Sequence, residues 1–182
     1  GPAVSPYTLD FDEKNLKLSR EAFSGKRVFF DGVFKGDYSL AIVNRLLAKA
    51  LVEAGIDLHC HTPESDWQND ARLNAAPEVK RLLLPAYPSE QYDIHLRNTW
   101  PPATHDMIGH FNAYVNFAWE ELEVPQYLIE RFNRDLDLVM VTANFVKRAY
   151  IQSGLTVPVE VVGNGTDHVG PGTGLATPSP LP

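Results

Sequence analysis

A chain of 182 residues, 44% hydrophobic and 21% charged, is long enough to bury one core and has the composition of a globular domain. Its formal charge of −7 and lack of a basic stripe exclude nucleic acid as the expected partner. The single cysteine, Cys60, excludes a disulfide framework and suits a reducing compartment. No apolar run is long enough to span a bilayer, and no signal peptide opens the chain. Gly1-Pro2 reads as the scar of a cleaved purification tag, so a fragment of a longer parent is expected.

Residues 1–25 form that scar and a polar, mixed extension, in which Leu9, Phe11, Leu16 and Leu18 are the residues able to dock on a sheet. The organising unit is Arg27–Pro63, read as strand, glycine-containing loop, helix and strand. Val28, Phe29 and Phe30 form a continuous apolar run, as a strand covered on both faces requires. The chain then turns through Gly32 and Gly36, and Asp37 or Ser39 is placed to cap the helix that follows. Leu40, Val43, Leu47, Ala50, Leu51 and Ala54 recur at helical spacing along it. Gly55 suits its end, and Ile56–Cys60 reads as the second strand.

Thr62–Ala76 is a loop on composition, and Pro77–Leu84 reads as a short helix opened by its proline. Tyr92–Arg97 alternates apolar and polar residues, which predicts a half-exposed strand. Residues 98–102 form a stiff, proline-containing loop. Tyr114–Trp119 is the next strand, followed by Glu120 and Glu121. Pro125 opens a helix with Leu128, Ile129 and Phe132 on one face, and Leu136–Val141 is a buried strand. Thr142 is placed to cap a helix ending at Gly154, and Val157–Val162 is the last strand. Residues 168–182 are Gly, Pro, Ser and Thr with almost no core formers, a linker or disordered tail. Strands alternating with helices predict an α/β fold: an open, mostly parallel, Rossmann-like sheet with helices on both faces. Its ligand-facing loops should follow the strands at Asp31, Leu96, Trp119, Val141 and Val162.

The ordered segments from Lys26 to Asp167 resemble the amino-terminal half of a GT-B glycosyltransferase of family 4. The resemblance rests on the first strand and its loop running into SLAIVNRLLAKALVEAGI. It continues through Trp119-Glu120, VTANFVKRAYIQSGL and the closing VEVVGNGTD. It implies a domain that mostly holds the acceptor, facing a second, carboxy-terminal α/β domain that holds the nucleotide sugar. Transfer would retain anomeric configuration and need neither metal nor cofactor. The implied partners are a nucleotide sugar and a glycan or other acceptor. The implied setting is cytoplasmic, with peripheral association of the parent at the inner membrane face. Glycosyl transfer puts new negative charge on a diphosphate, so Gly36, Asp37, Tyr38 and Ser39, between a strand end and a helix start, are candidate binding residues. Arg97, Asn98 and Trp100 leave a strand at the same edge, with donors and an aromatic suited to a carbohydrate or anion. Trp119 is placed to stack on a sugar, Glu120 to act as the catalytic carboxylate, and Asn164 to bind substrate in the closing turn. The histidine that many relatives carry near Trp119 is missing from this chain. On structural grounds alone each of these residues has a bland role: Gly36 making a turn, Glu120 capping a loop, Trp119 filling core.

A rival motif is Asp57-Leu58-His59-Cys60-His61-Thr62, which resembles the DLHxHT signature of PHP-type metal-dependent phosphoesterases and related amidohydrolases. There, two imidazoles at strand period two share metal ions. The signature belongs on the first strand of a barrel, whereas here a complete strand–helix unit precedes it. Of the further histidines available as ligands, His95, His105, His110 and His168, the second and third lie in a predicted loop and the last in the tail. A non-catalytic carbohydrate- or protein-binding module on the same sheet is the third class.

Overall fold

The computed structural model describes residues 21–65, 70–117 and 121–163. Its six strands form one open sheet, every pair parallel, in the order β2-β1-β3-β4-β5-β6. They are β1 (Arg27–Gly32), β2 (Asp57–His61), β3 (Tyr92–Asn98), β4 (Gly109–Phe117), β5 (Leu138–Val141) and β6 (Val159–Val161). The helices are α1 (Ser39–Glu53), α2 (Ala71–Asn74), α3 (Pro77–Lys80), α4 (Gln126–Asp135) and α5 (Asn144–Gln152). The architecture is α/β and consistent with a Rossmann-like fold. No helix among the described residues is long and apolar enough to cross a membrane.

Side-chain alternation divides the core between the two faces of the sheet. On one face Val28 and Phe30 of β1, Leu58 and Cys60 of β2 and Val115 of β4 pack with Ala48 of α1 and Val79 of α3. On the other, Tyr114 of β4 and Val139 and Val141 of β5 pack with Leu128, Ile129 and Phe132 of α4 and Val146, Ala149 and Tyr150 of α5. Phe132 is stacked between Tyr114 and Tyr150, with centroid distances of 5.6 and 5.9 Å. Helices therefore cover both faces, but on the second face they cover only the β4–β6 half.

Several local expectations are corrected. The cap position of α1 is Tyr38, with no side-chain cap from Asp37 or Ser39, and that of α5 is Ala143 rather than Thr142. The segment after β2 is not all loop, since α2 lies within it, and α3 is a single turn. Beyond α3 the chain pairs back along β2: Cys60 N–H donates to the Leu82 carbonyl and Leu84 N–H to the Cys60 carbonyl. β4 starts at Gly109, so His110 is a strand residue. Gly55 and Gly154 have φ of +81° and +103°, as helix-ending residues in the left-handed region do.

β3 departs from expectation in a way that matters for function. It lies between β1 and β4, and its polar residues His95, Arg97 and Asn98 are buried while Ile94 and Leu96 are only partly so. A half-exposed strand would have turned those groups to water.

Candidate functional site

From β1 the chain crosses to β2 on one side and later returns to add β3 on the other, so the order of strands reverses at β1. Loops leaving the carboxyl ends of β1 and β3 diverge at such a point and leave a crevice between them. Register places His61, Asp31, Arg97 and Tyr114 abreast across β2, β1, β3 and β4 at that end of the sheet. One row back, the same face carries His59, Phe29, His95 and Asn112. Among the described residues no helix covers this half of the face, and a polar network lies there beside the buried ring of Phe29.

Asp31 is its centre. Its Oδ1 lies 2.5 Å from His95 Nε2, and both its oxygens lie 3.0 Å from Arg97 Nε. The Ile108 amide donates to His95 Nδ1 at 3.0 Å, so Nδ1 is the acceptor and Nε2 carries the proton. Burial lowers the His95 pKa, and its hydrogen bond to Asp31 only partly opposes it, which fits the neutral tautomer. Arg97, 3% exposed, also donates to the Ala103 carbonyl at 2.8 Å, Asp106 Oδ1 at 2.5 Å and the Tyr87 hydroxyl at 3.0 Å. Burial opposes its charge, but Asp31 and Asp106 outweigh burial and raise its pKa. Burial also works against the Asp106 carboxylate, yet its bond to Arg97 holds that pKa below the usual range. Tyr87 closes the network from above: burial and the nearby Asp31 push its pKa up, and its hydroxyl donates to the Asp106 carbonyl at 3.0 Å. Its ring meets that of His61 edge-on at 5.6 Å.

A second lock fixes the first loop. Asn44 of α1, fully buried, donates through Nδ2 to the carbonyls of Val33 and Asn98 at 2.9 and 3.2 Å, and accepts from Asn98 Nδ2 at 2.8 Å. Helix and strand approach this closely because Gly32 lies between them; a Cβ there would meet the Asn98 carbonyl at 2.6 Å and Asn44 Nδ2 at 2.7 Å. Tyr114 fastens the loop after β3, its hydroxyl bonding the Thr99 carbonyl and accepting from the Thr99 amide at 3.0 Å.

The sequence-predicted residues divide into three groups. Gly36, Asp37, Tyr38 and Ser39 stand together at the carboxyl end of β1, in the loop and first turn between β1 and α1. Gly36 has φ of +85°, so the turn itself calls for glycine; Asp37 pairs with Arg72, and the Tyr38 hydroxyl donates to Glu64 Oε2 at 2.7 Å. Arg97 and Asn98 reach the crevice, but their side chains face inward and are spent on the two locks. Trp100, just beyond them, is 64% exposed and precedes a cis peptide bond to Pro101. Trp119, Glu120 and Asn164 lie outside the described residues.

Sequence reasoning missed Asn44, Glu64, Tyr87 and Asp106, and considered His95 only as an available metal ligand. The one readable signal was the His95–Arg97 alternation, which marks a shared face without saying that the face is buried. His59 and His61 lie on an outer strand of an open sheet, and His59 Nδ1 is engaged with the Tyr92 hydroxyl at 2.7 Å. Among the described residues, no group of three or more His, Cys, Asp and Glu is placed to hold a metal ion. Comparison of the chain with protein-family models, curated proteins and solved structures gave no match.

Proposed function

We propose that the chain is the acceptor-side domain of a glycosyltransferase, which moves a sugar from a nucleotide sugar to a glycan or other acceptor. The observation that carries this reading is the reversal of strand order at β1. It brings the glycine loop at Gly36–Ser39, part of the first segment on which the resemblance to glycosyltransferase family 4 rests, to the same sheet edge as Arg97–Trp100, whose donors and aromatic suit a carbohydrate or anion. The chemistry of the crevice floor is in keeping with it. Asp31, His95 and Arg97 are bonded to one another, so the centre of the floor holds its shape with its charges already paired. Such a floor positions substrate; the reacting groups come from the loops above it and from a second α/β domain that binds the donor. In this reading Trp100 and Trp119 offer aromatic faces to a sugar, Glu120 supplies the catalytic carboxylate, and Asn164 binds substrate beside the second domain. No metal or cofactor takes part.

Half a cleft leaves a departing diphosphate in water, where electrostatic stabilisation is weak. It also forfeits the positioning that makes transfer between two bound substrates fast. The chain alone should therefore be inactive, and a parent extended beyond residue 182 should transfer. The assay incubates both with a panel of nucleotide sugars and acceptors. Transfer by the extended protein alone is the expected result. Its failure to use any donor would end this reading, and turnover by the short chain at a comparable rate would place the active site elsewhere.

A further inference from the structure

The loop between β1 and α1 presents its peptide groups in two directions. The Val33 carbonyl accepts from Asn44 Nδ2, and the carbonyls of Phe34 and Gly36 accept from Arg45 Nη1 at 2.7 and 2.9 Å. Both donors belong to α1. Turned the other way, the amides of Phe34 and Lys35 converge on a single oxygen, Oε1 of Glu64, at 2.5 and 2.8 Å. Thr62 Oγ1 adds a third donor to that oxygen at 2.8 Å, and the Tyr38 hydroxyl binds the other. Glu64 is no part of this loop; it arrives from the far side of β2.

We propose that residues 34–38 form an oxyanion-binding nest, that Glu64 is its resident occupant, and that a phosphate-type ligand enters by displacing that carboxylate. This deepens the crevice already described, and rests on the loop geometry rather than on glycosyl transfer. Successive backbone N–H groups aimed at one point are a fixed concentration of positive potential, suited to any compact oxyanion. The nest does not owe its shape to Glu64, because Asn44 and Arg45 hold its carbonyls from the opposite side. The start of α1 just beyond it has no side-chain cap and no acidic residue in its first turn, so the negative charge beside its dipole is that of Asp37 and of Glu64 itself. A phosphate brings more charge and more acceptor oxygens than a carboxylate, whereas Glu64 has the advantage of being tethered. Displacement would release one of the two ties between the Thr62–Ser65 segment and the loop, leaving the bond from Lys35 Nζ to the Ser65 carbonyl at 3.2 Å. Ligand entry is thereby linked to movement of the β2 loop at the mouth of the crevice.

The test follows the Phe34 and Lys35 amide resonances of the 15N-labelled chain during titration with inorganic phosphate, with sodium chloride holding ionic strength constant. Glu64→Gln keeps the shape and a carbonyl acceptor but drops the charge. Both amides should then respond at phosphate concentrations at least tenfold below those needed for the wild type. Glu64→Ala should respond likewise, and phosphate should raise its melting temperature by more than it raises that of the wild type. Amides that ignore phosphate in both folded variants would overturn the proposal, as would equal responses from all three proteins, the sign of a general salt effect. Two unfolded variants would overturn it as well, since Glu64 would then be a strut and not a displaceable occupant.

Discussion

Removing the carboxylate of Asp31 leaves two buried donors, His95 Nε2–H and Arg97 Nε–H, aimed at a neutral group. Breaking one side of a buried ion pair typically costs about 3–5 kcal/mol, mostly through the charge left behind. Asp31→Asn should therefore be destabilised by about that amount in urea or thermal melts, and Arg97→Met similarly. The double variant should cost less than the two together, by about 0.5–3 kcal/mol, because neither charge is stranded in it; strict additivity would show that the pair is not coupled. His95 gives the same network a pH dependence. Its folded pKa lies below the unfolded value, chiefly through burial, so the unfolded state takes up the proton first. The stability it contributes is complete above the unfolded pKa of about 6.5 and is lost as pH falls from there toward the folded pKa. His61, also lowered by burial, adds to the same slope. Equilibrium unfolding measured between about pH 7.5 and 5 should show stability declining. His95→Gln should flatten the decline, and an unchanged slope in that variant would remove His95 as its source.

Between α1 and β3 the contact depends on a missing side chain. Gly32→Ala would drive a methyl group into the Asn98 carbonyl and Asn44 Nδ2, and backbone cannot rotate aside as a flexible side chain does. Overpacking of this kind costs about 1–3 kcal/mol. Its signature should be exchange of the Asn44 and Asn98 side-chain amide protons well beyond what the loss of stability alone would produce. The same elements mark how far the sequence could be read. The run Val28–Phe30 shows its burial openly, because three consecutive apolar residues have no solvent-facing alternative. β3 was recognisable as a strand but not as a buried one. His95 and Arg97 share Asp31 as their buried counter-charge, 64 and 66 residues away, and such a partner is invisible in a local window. Glu64 was hidden for the same reason: an acidic residue in a polar loop reads as solvated until the amides it meets are in view. The cap of α1 misled differently, since two good capping residues flank a Tyr38 that holds the cap position without a side-chain bond.

At the scale of the whole molecule, β1 has its two neighbours at very different distances along the chain. It pairs with β2 after a short crossover, but its other edge waits for β3, with Phe29 opposite His95 and Asp31 opposite Arg97. A ribosome delivers these strands in order, so an emerging chain that has reached Leu84 has the strand–helix–strand unit in hand and half of its central strand still unsatisfied. The open edge is a row of bare peptide groups beside Phe29 and Phe30, the kind of template that recruits strands from other molecules. A polypeptide ending at Leu84 should accordingly aggregate during expression, while one reaching Gly163 should remain dispersed; sedimentation of the two products distinguishes them. Asp31 is caught in the same interval. Its charge stays hydrated until Arg97 arrives, so the pairing that closes the sheet also supplies the counter-ion for the carboxylate it buries. In this fold, completing the backbone ladder and neutralising the interior are a single late event, and a nascent chain halted before it is both sticky and wrongly charged.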